Sequence, residues 1–391
     1  YGKSYRVLVM TAGLAASFTM VVSGTIVSVA VPDVMGAFGV GLDQAQLMTT
    51  GFNIAMVTSQ LLNAWLVAAF GQRAGFMLMA FVFTVGSIIC GLGQTFDMIV
   101  VGRIMQGLAA GVIQPLVMVV AFQVFPADRR GYAMGIYSMG IFLAVAVGPI
   151  FGGFAIELLN WRYIFWAPLP VIGIGALMGW VFIPSVPSEK KLSFDWTGYI
   201  LLIVSVYCLV TGLTEGNREG WSSTYIIGLF IVGVGCGAAL IWSQLRDAQT
   251  LIDLSLFKNK QFAMTALIAF VFGVGNFGTG YGVPVFGQLI QGMTPIVAAL
   301  VMLPSALLIV VALPFTGKLA DKIPAHIGIL IGLALFALGT APMSDADVNT
   351  PFLMVMSYFI VSRFGMSFTN PFIMNTALKS LPPEQLSGGG G

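Results

Sequence analysis

Stretches of about twenty apolar residues recur from one end of this sequence to the other, and no other feature restricts its fold as severely. At about 1.5 Å per residue, each stretch would cover roughly 30 Å as a helix, the depth of bilayer hydrocarbon. Hydrocarbon offers no water to backbone N–H and C=O groups, so a spanning segment must pair within itself as a helix or close into a barrel. A barrel would need alternating strands of about ten residues, a pattern not found here. Composition agrees, with 58% apolar and 8% charged residues, whereas soluble domains carry about a quarter charged. An all-α polytopic membrane protein is therefore expected.

Charged, Gly/Pro and polar punctuation predicts twelve spans, near 8–32, 44–68, 76–96, 98–125, 131–155, 161–183, 196–214, 222–244, 262–290, 295–317, 325–342 and 351–379. With that count, Lys3, Arg6, Arg73, Arg129, Arg130, Lys190, Lys191, Arg246, Lys258, Lys260, Lys318, Lys322 and Lys379 fall on one side of the membrane. Only Arg162 and Arg218 fall on the other. The positive-inside rule then puts the N-terminus in the cytoplasm of a multi-pass protein of the cell membrane, expected to be a bacterial plasma or inner membrane. These cations form no stripe along one face, so no nucleic-acid partner is expected. Cys90, Cys208, Cys236 and the lone His326 lack metal-site spacing, and neither a metal nor a cofactor is expected.

An internal echo suggests two related halves. Arg103 through Pro115 to Asp128 is mirrored, at an offset of 256, by Phe359 through Pro371 to Glu384, and Ala64–Ala68 is mirrored by Gly317–Asp321. Repeated halves about a central site are the construction of alternating-access carriers. The expected division is a six-helix N-terminal half over 1–184, a two-helix insert with linkers over 185–261 and a partial C-terminal half over 262–391. On this count the second half is two helices short, so two further spans are expected beyond Gly391. The opening at Tyr1 and the closing Gly388–Gly391 likewise read as the ends of a fragment.

Several motifs carry physical meaning. In the fifth span, Gly135, Gly148, Pro149, Gly152 and Gly153 space small residues over successive turns and remove one backbone donor, which suits close and yielding helix contact. In the fourth, Arg103, Gln106, Gly107 and Gly111 place a costly cation in an apolar span, where it is expected to face the bundle interior or an aqueous path, or to brace backbone carbonyls. The first span carries Ser23, Thr25, Ser28 and Pro32, and two loop regions carry Gly71 with Arg73 and Gly317 with Asp321. No Asp or Glu lies deep in any predicted span.

Together these motifs resemble the major facilitator superfamily, specifically its fourteen-span drug:proton antiporter family of the EmrB/QacA type, over essentially the whole chain. The resemblance implies a helical bundle of two pseudo-repeated halves around the central insert. It also implies a coupling role for Arg103 and its neighbours, and a latch between halves at the two loops. The sequence departs from the family pattern at several positions: Ala109 and Ala144 replace glycines, Pro324 stands at the last glycine of the later loop, the earlier loop lacks its acid, and Ser23 and Ser28 stand where an acid and an asparagine are usual. Serine cannot carry a proton in the useful pH range.

The expected function is secondary active efflux of amphipathic organic or drug-like compounds by proton antiport. An uncoupled facilitator or importer of a lipid-like or nutrient solute is the first alternative, and a noncatalytic transporter-derived scaffold or sensor the second. Gln114, Tyr137, Asn276, Tyr281, Tyr358, Arg363 and Asn370 are candidate pathway residues. The expected partners are a small amphipathic solute, protons and membrane lipid, with a periplasmic adaptor and an outer-membrane channel if the cell is Gram-negative. No phosphate loop, zinc-peptidase motif or nucleophile elbow is present, so no enzyme activity is expected.

Overall fold

A computed structural model describes residues 3–125, 130–184, 194–246, 254–320 and 322–379, and the regular structure among them is helical. Eleven stretches of these described residues are long and apolar enough to cross a membrane. The predicted span 44–68 is not one of them, because it is divided into α3 (Leu42–Ala45), α4 (Leu47–Gln60) and α5 (Leu62–Phe70). The first predicted span is also broken. Here α1 (Lys3–Ile26) passes into a 3-10 turn at Val27–Val29 before α2 (Val31–Phe38), whose second residue is Pro32. Proline has no N–H to donate and restricts the residue before it, which favours a fresh helix start at that point. Gly39 ends α2 at φ 64°, donating its N–H to Met35 O from the left-handed region that glycine enters freely.

The first half continues with α6 (Gln72–Leu92), α7 (Phe96–Val124), α8 (Arg130–Leu158), α9 (Tyr163–Trp166) and α10 (Leu169–Phe182). Contacts between helix ends show the up-and-down order. Tyr5 Oη donates to Phe182 O at 2.6 Å and Arg73 Nε to Ile183 O at 2.8 Å, fastening α1 and α6 to the end of α10. At the opposite end, Phe38 packs edge-on against Phe96 and Trp161. These two ends are called below the Arg73 end and the Trp161 end.

Beyond the peripheral pair α11 (Trp196–Glu219) and α12 (Thr224–Arg246) lie α13 (Lys260–Leu289), α14 (Pro295–Leu300), α15 (Leu303–Ala320), α16 (Ala325–Thr340) and α17 (Phe352–Lys379). In this second half α17 packs against α16 and α15, as α7 packs against α6 and α4 in the first. The parallel reaches single residues. A Cβ on Gly86 of α6 would meet Gly102 O of α7 at 2.7 Å, and one on Gly339 of α16 would meet Tyr358 O of α17 at 2.6 Å. Close backbone approach at small residues is how helices associate where lipid removes the hydrophobic drive between them. The fold is thus an all-α membrane bundle with pseudo-repeated halves. The two halves meet at the Trp161 end, where Val285 of α13 joins a buried cluster with Ile26, Ala144, Ala155 and Trp161. The α11–α12 pair touches the first half through Trp196, whose ring lies 5.0 Å from that of Trp65.

Candidate functional site

Between the halves lies a cavity of about 340 Å³, walled by α1, α4, α7 and α8 on one side and by α13, α15 and α17 on the other. Each half contributes two methionines and two phenylalanines: Met20, Met56, Phe52 and Phe142 from the first, Met302, Met366, Phe277 and Phe359 from the second. Flexible thioethers and flat rings adapt to apolar bodies of varied shape. The polar part of the wall is small. Thr25, Ser28, Thr49, Asn53 and Gln114 face Asn276, Tyr281, Ser305 and Arg363, and no Asp, Glu, Lys or His is among the described wall residues.

Arg363 is the one charged residue among the described wall residues and is 7% exposed. Its Nη1 donates to Asn276 Oδ1, and its Nη2 donates to Asn276 O at 3.3 Å and to Thr279 Oγ1 at 3.1 Å. The guanidinium lies over the Phe359 ring, 4.4 Å from its centroid. Every one of these partners is neutral. The Tyr281 and Thr49 hydroxyl oxygens on the same wall are buried and have no hydrogen-bond partner.

Arg103 has a different position. It is fully buried and absent from the cavity wall, with the Phe52 ring 4.2 Å from its guanidinium carbon. Nε donates to Met48 O at 3.1 Å, while Nη1 donates to Ser23 O at 3.0 Å, Ser23 Oγ at 3.2 Å and Gln106 Oε1 at 2.8 Å. Gln106 Nε2 continues the network to Ser87 Oγ at 2.7 Å. One side chain therefore ties α7 to α1 and α4, and Gln106 adds α6. Gly107 and Gly111 serve the same packing: a Cβ at either would run into the α4 backbone, at Phe52 O and Met56 O respectively.

The α8 glycines divide between two neighbours. Gly148 and Gly152 press on Thr25 and Ile26 of α1, within the same half, and Gly153 presses on Pro295 and Ile296 at the start of α14, across the halves. Gly135 lies further back in α8, and Pro149 lines the cavity. Among the loop residues, Gly71 joins α5 to α6 at φ 81°, Arg73 holds the end of α10, and Gly317 in α15 faces open space. Asp321 lies outside the described residues.

Of the predicted pathway residues, Gln114, Asn276, Tyr281 and Arg363 line the cavity. Tyr137, Tyr358 and Asn370 are off its wall. The Tyr137 hydroxyl instead donates to Ser17 Oγ at 3.2 Å inside the first half, and Tyr358 packs its backbone carbonyl against Gly339. Sequence reasoning missed Thr49 and Asn53. With Met56 they fall at helical spacing on one face of α4, a polar stripe within an apolar run that could have marked them.

A membrane bundle of two pseudo-repeated helical halves enclosing a cavity at their interface has the architecture of a secondary transporter. The chain belongs to the Major Facilitator Superfamily, whose family model matches residues 13–391. It is 30% identical over 382 residues to the uncharacterized MFS-type transporter YhcA of Bacillus subtilis, covering 98% of this chain and 71% of that protein. It is also 30% identical over 382 residues to the multidrug export protein EmrB of Haemophilus influenzae, covering 95% of this chain and 74% of that one. Its fold is similar to that of a POT family transporter solved in complex with 5-aminolevulinic acid, with a TM-score of 0.72 at 17% identity over 98% of this chain and 85% of that one. The protein is accordingly a multi-pass membrane transporter of small solutes and not an enzyme.

Proposed function

We propose that this protein exports amphipathic organic compounds by alternating access, drawing on a proton gradient as a member of the fourteen-span drug:proton antiporters would. The carrying observation is the interface cavity, whose Met and Phe wall accepts apolar bodies while a few polar groups orient one end. The similarity to the multidrug export protein EmrB supports the direction of transport. Within this reading, 1–184 and 262–391 form the two working halves and 185–261 the insert. The side rich in Lys and Arg faces the cytoplasm of a bacterial membrane.

An uncoupled facilitator is the second reading. The described cavity wall holds no carboxylate, and Ser23 replaces the acid usual in the family. Efflux of an amphipathic dye from proteoliposomes, with and without an imposed pH gradient, separates the two. Gradient-stimulated flux is expected for antiport. Equal flux in both conditions would establish the facilitator, and no flux at all would leave only a scaffold or sensor.

A further inference from the structure

A largely apolar cavity selects its ligand's charge by the sign of whatever buried charge its wall already holds. We infer that this cavity takes amphipathic organic anions, with Arg363 as the counter-charge for an acidic headgroup. The inference rests on the reading of the cavity as the transport site. It adds the chemical class of the solute, which composition and kinship leave open.

Three observations carry it. The guanidinium of Arg363 is 7% exposed and hydrogen-bonds to the neutral groups of Asn276, Thr279 and Met366, so its positive charge is not cancelled by any described carboxylate. In a medium of low effective dielectric that charge favours an anion and disfavours a cation at short range. Second, the Tyr281 and Thr49 hydroxyls are buried on the same wall without partners. A buried hydroxyl lacking a partner is costly, so an acceptor oxygen of a solute that reached either one would be favoured. Third, Gly280 stands beside the guanidinium, where a Cβ would lie 3.4 Å from Arg363 Nη2, so this position adds no side chain to that flank. The Met and Phe wall would then hold the solute's apolar body.

The cation alternative lacks an acidic partner among the described wall residues. Cation–π contact with Phe277 or Phe359 remains open to an ammonium group, but Phe359 already carries Arg363 on its face. A second cation there would meet the first without an intervening acid.

The test uses a matched set of probes on one ring system: naphthoate, naphthalenesulfonate and naphthyl-trimethylammonium. Each is equilibrated with the full chain in nanodiscs, with empty nanodiscs correcting for lipid partition. Both acids should bind at least about tenfold more tightly than the ammonium compound. Arg363→Gln should bring that ratio to about one, and Arg363→Lys should keep most of it because the charge stays. Should Arg363→Gln not fold, Asn53→Asp decides: it is nearly isosteric, adds a negative charge to the same wall that offsets Arg363, and should bring the ratio toward one. Ammonium binding as tight as that of the acids in the parent, no binding by any probe, or a full acid preference kept in folded Arg363→Gln or Asn53→Asp overturns the assignment. Flux in liposomes keeps the two proposals apart. Acid-selective binding without flux sinks export and leaves the anion assignment standing, whereas flux selective for the ammonium compound does the reverse.

Discussion

Arg103 and Arg363 are both buried arginines in pseudo-equivalent helices, and their surroundings give them different work. At the offset of 256, Arg363 aligns with Gly107, one turn beyond Arg103. That turn takes one guanidinium into the cavity wall and leaves the other behind Phe52, bonded to Met48, Ser23 and Gln106. Arg103→Ala should therefore act first as a packing and hydrogen-bond lesion. It would remove the bonds that tie α7 to α1 and α4 and leave Gln106 Oε1 without its charged donor, lowering stability by about 1–3 kcal/mol. Arg103→Lys should recover part of this, since one ammonium cannot reproduce the planar fork. Thermal unfolding and flux measured on the same preparations check it. Flux should fall with stability while its response to a pH gradient keeps its parental ratio, and a lost response at parental stability would give Arg103 a coupling role. The sequence showed that a cation in an apolar span must find company, but not whether that company was carbonyls or a cavity, because the direction of a side chain is fixed by neighbours distant in the chain. Thr49 and Asn53 escaped notice for a related reason: a neutral polar side chain barely dents the hydropathy of its run.

At the scale of elements, most helices were legible because lipid leaves a twenty-residue apolar run no other structure. The breaks at Val27–Val29 and Leu61 were signalled only by short polar or proline punctuation, Ser28 with Pro32 and Ser59, Gln60 and Asn63, too brief to end an apolar run of about twenty residues. The glycines were legible as a pattern, and their partners were not. Gly107 and Gly111 turn out to face the α4 backbone, which cannot yield as a flexible side chain can. Gly107→Ala and Gly111→Ala should each cost about 1–3 kcal/mol through overpacking. Gly317→Ala, with no described atom within 4 Å of the added Cβ, should be neutral or slightly stabilising as a helix substitution. Thermal unfolding of the three variants in one detergent checks the order. A Gly317→Ala loss equal to the others would mean that an unseen neighbour packs on α15.

For the whole molecule, alternating access requires that the contact closing one end of the cavity be able to part. The Trp161 end is closed by α8 against α14: Glu157 Oε1 accepts from Ile296 N at 2.9 Å, and Gly153 lets the two backbones touch at Pro295 and Ile296. Both contacts join opposite halves, so they must break whenever the cavity opens at that end. Removing the carboxylate leaves Ile296 N without its acceptor, and adding a branched side chain at Gly153 forces α14 away, since a Cβ there already lies 2.9 Å from Ile296 Cα and Pro295 O. Glu157→Ala and Gly153→Val should therefore both shift the population toward opening at the Trp161 end. The check is a cysteine at Ser28, on the cavity wall close to that end, in a chain whose Cys90, Cys208 and Cys236 have been replaced. A membrane-impermeant thiol reagent applied from the Trp161 side should label it several-fold faster in either variant than in the parent. Glu157→Gln, which keeps an acceptor oxygen, should stay near the parental rate. A shift of about 1.4 kcal/mol in a two-state equilibrium changes populations about tenfold, so loss of a single hydrogen bond is enough to be seen in such rates. Parental labelling in both Glu157→Ala and Gly153→Val would mean that the α8–α14 contact rides with one half during the cycle, and the closing surface would then have to be sought where Val285 packs against Ile26 and Trp161.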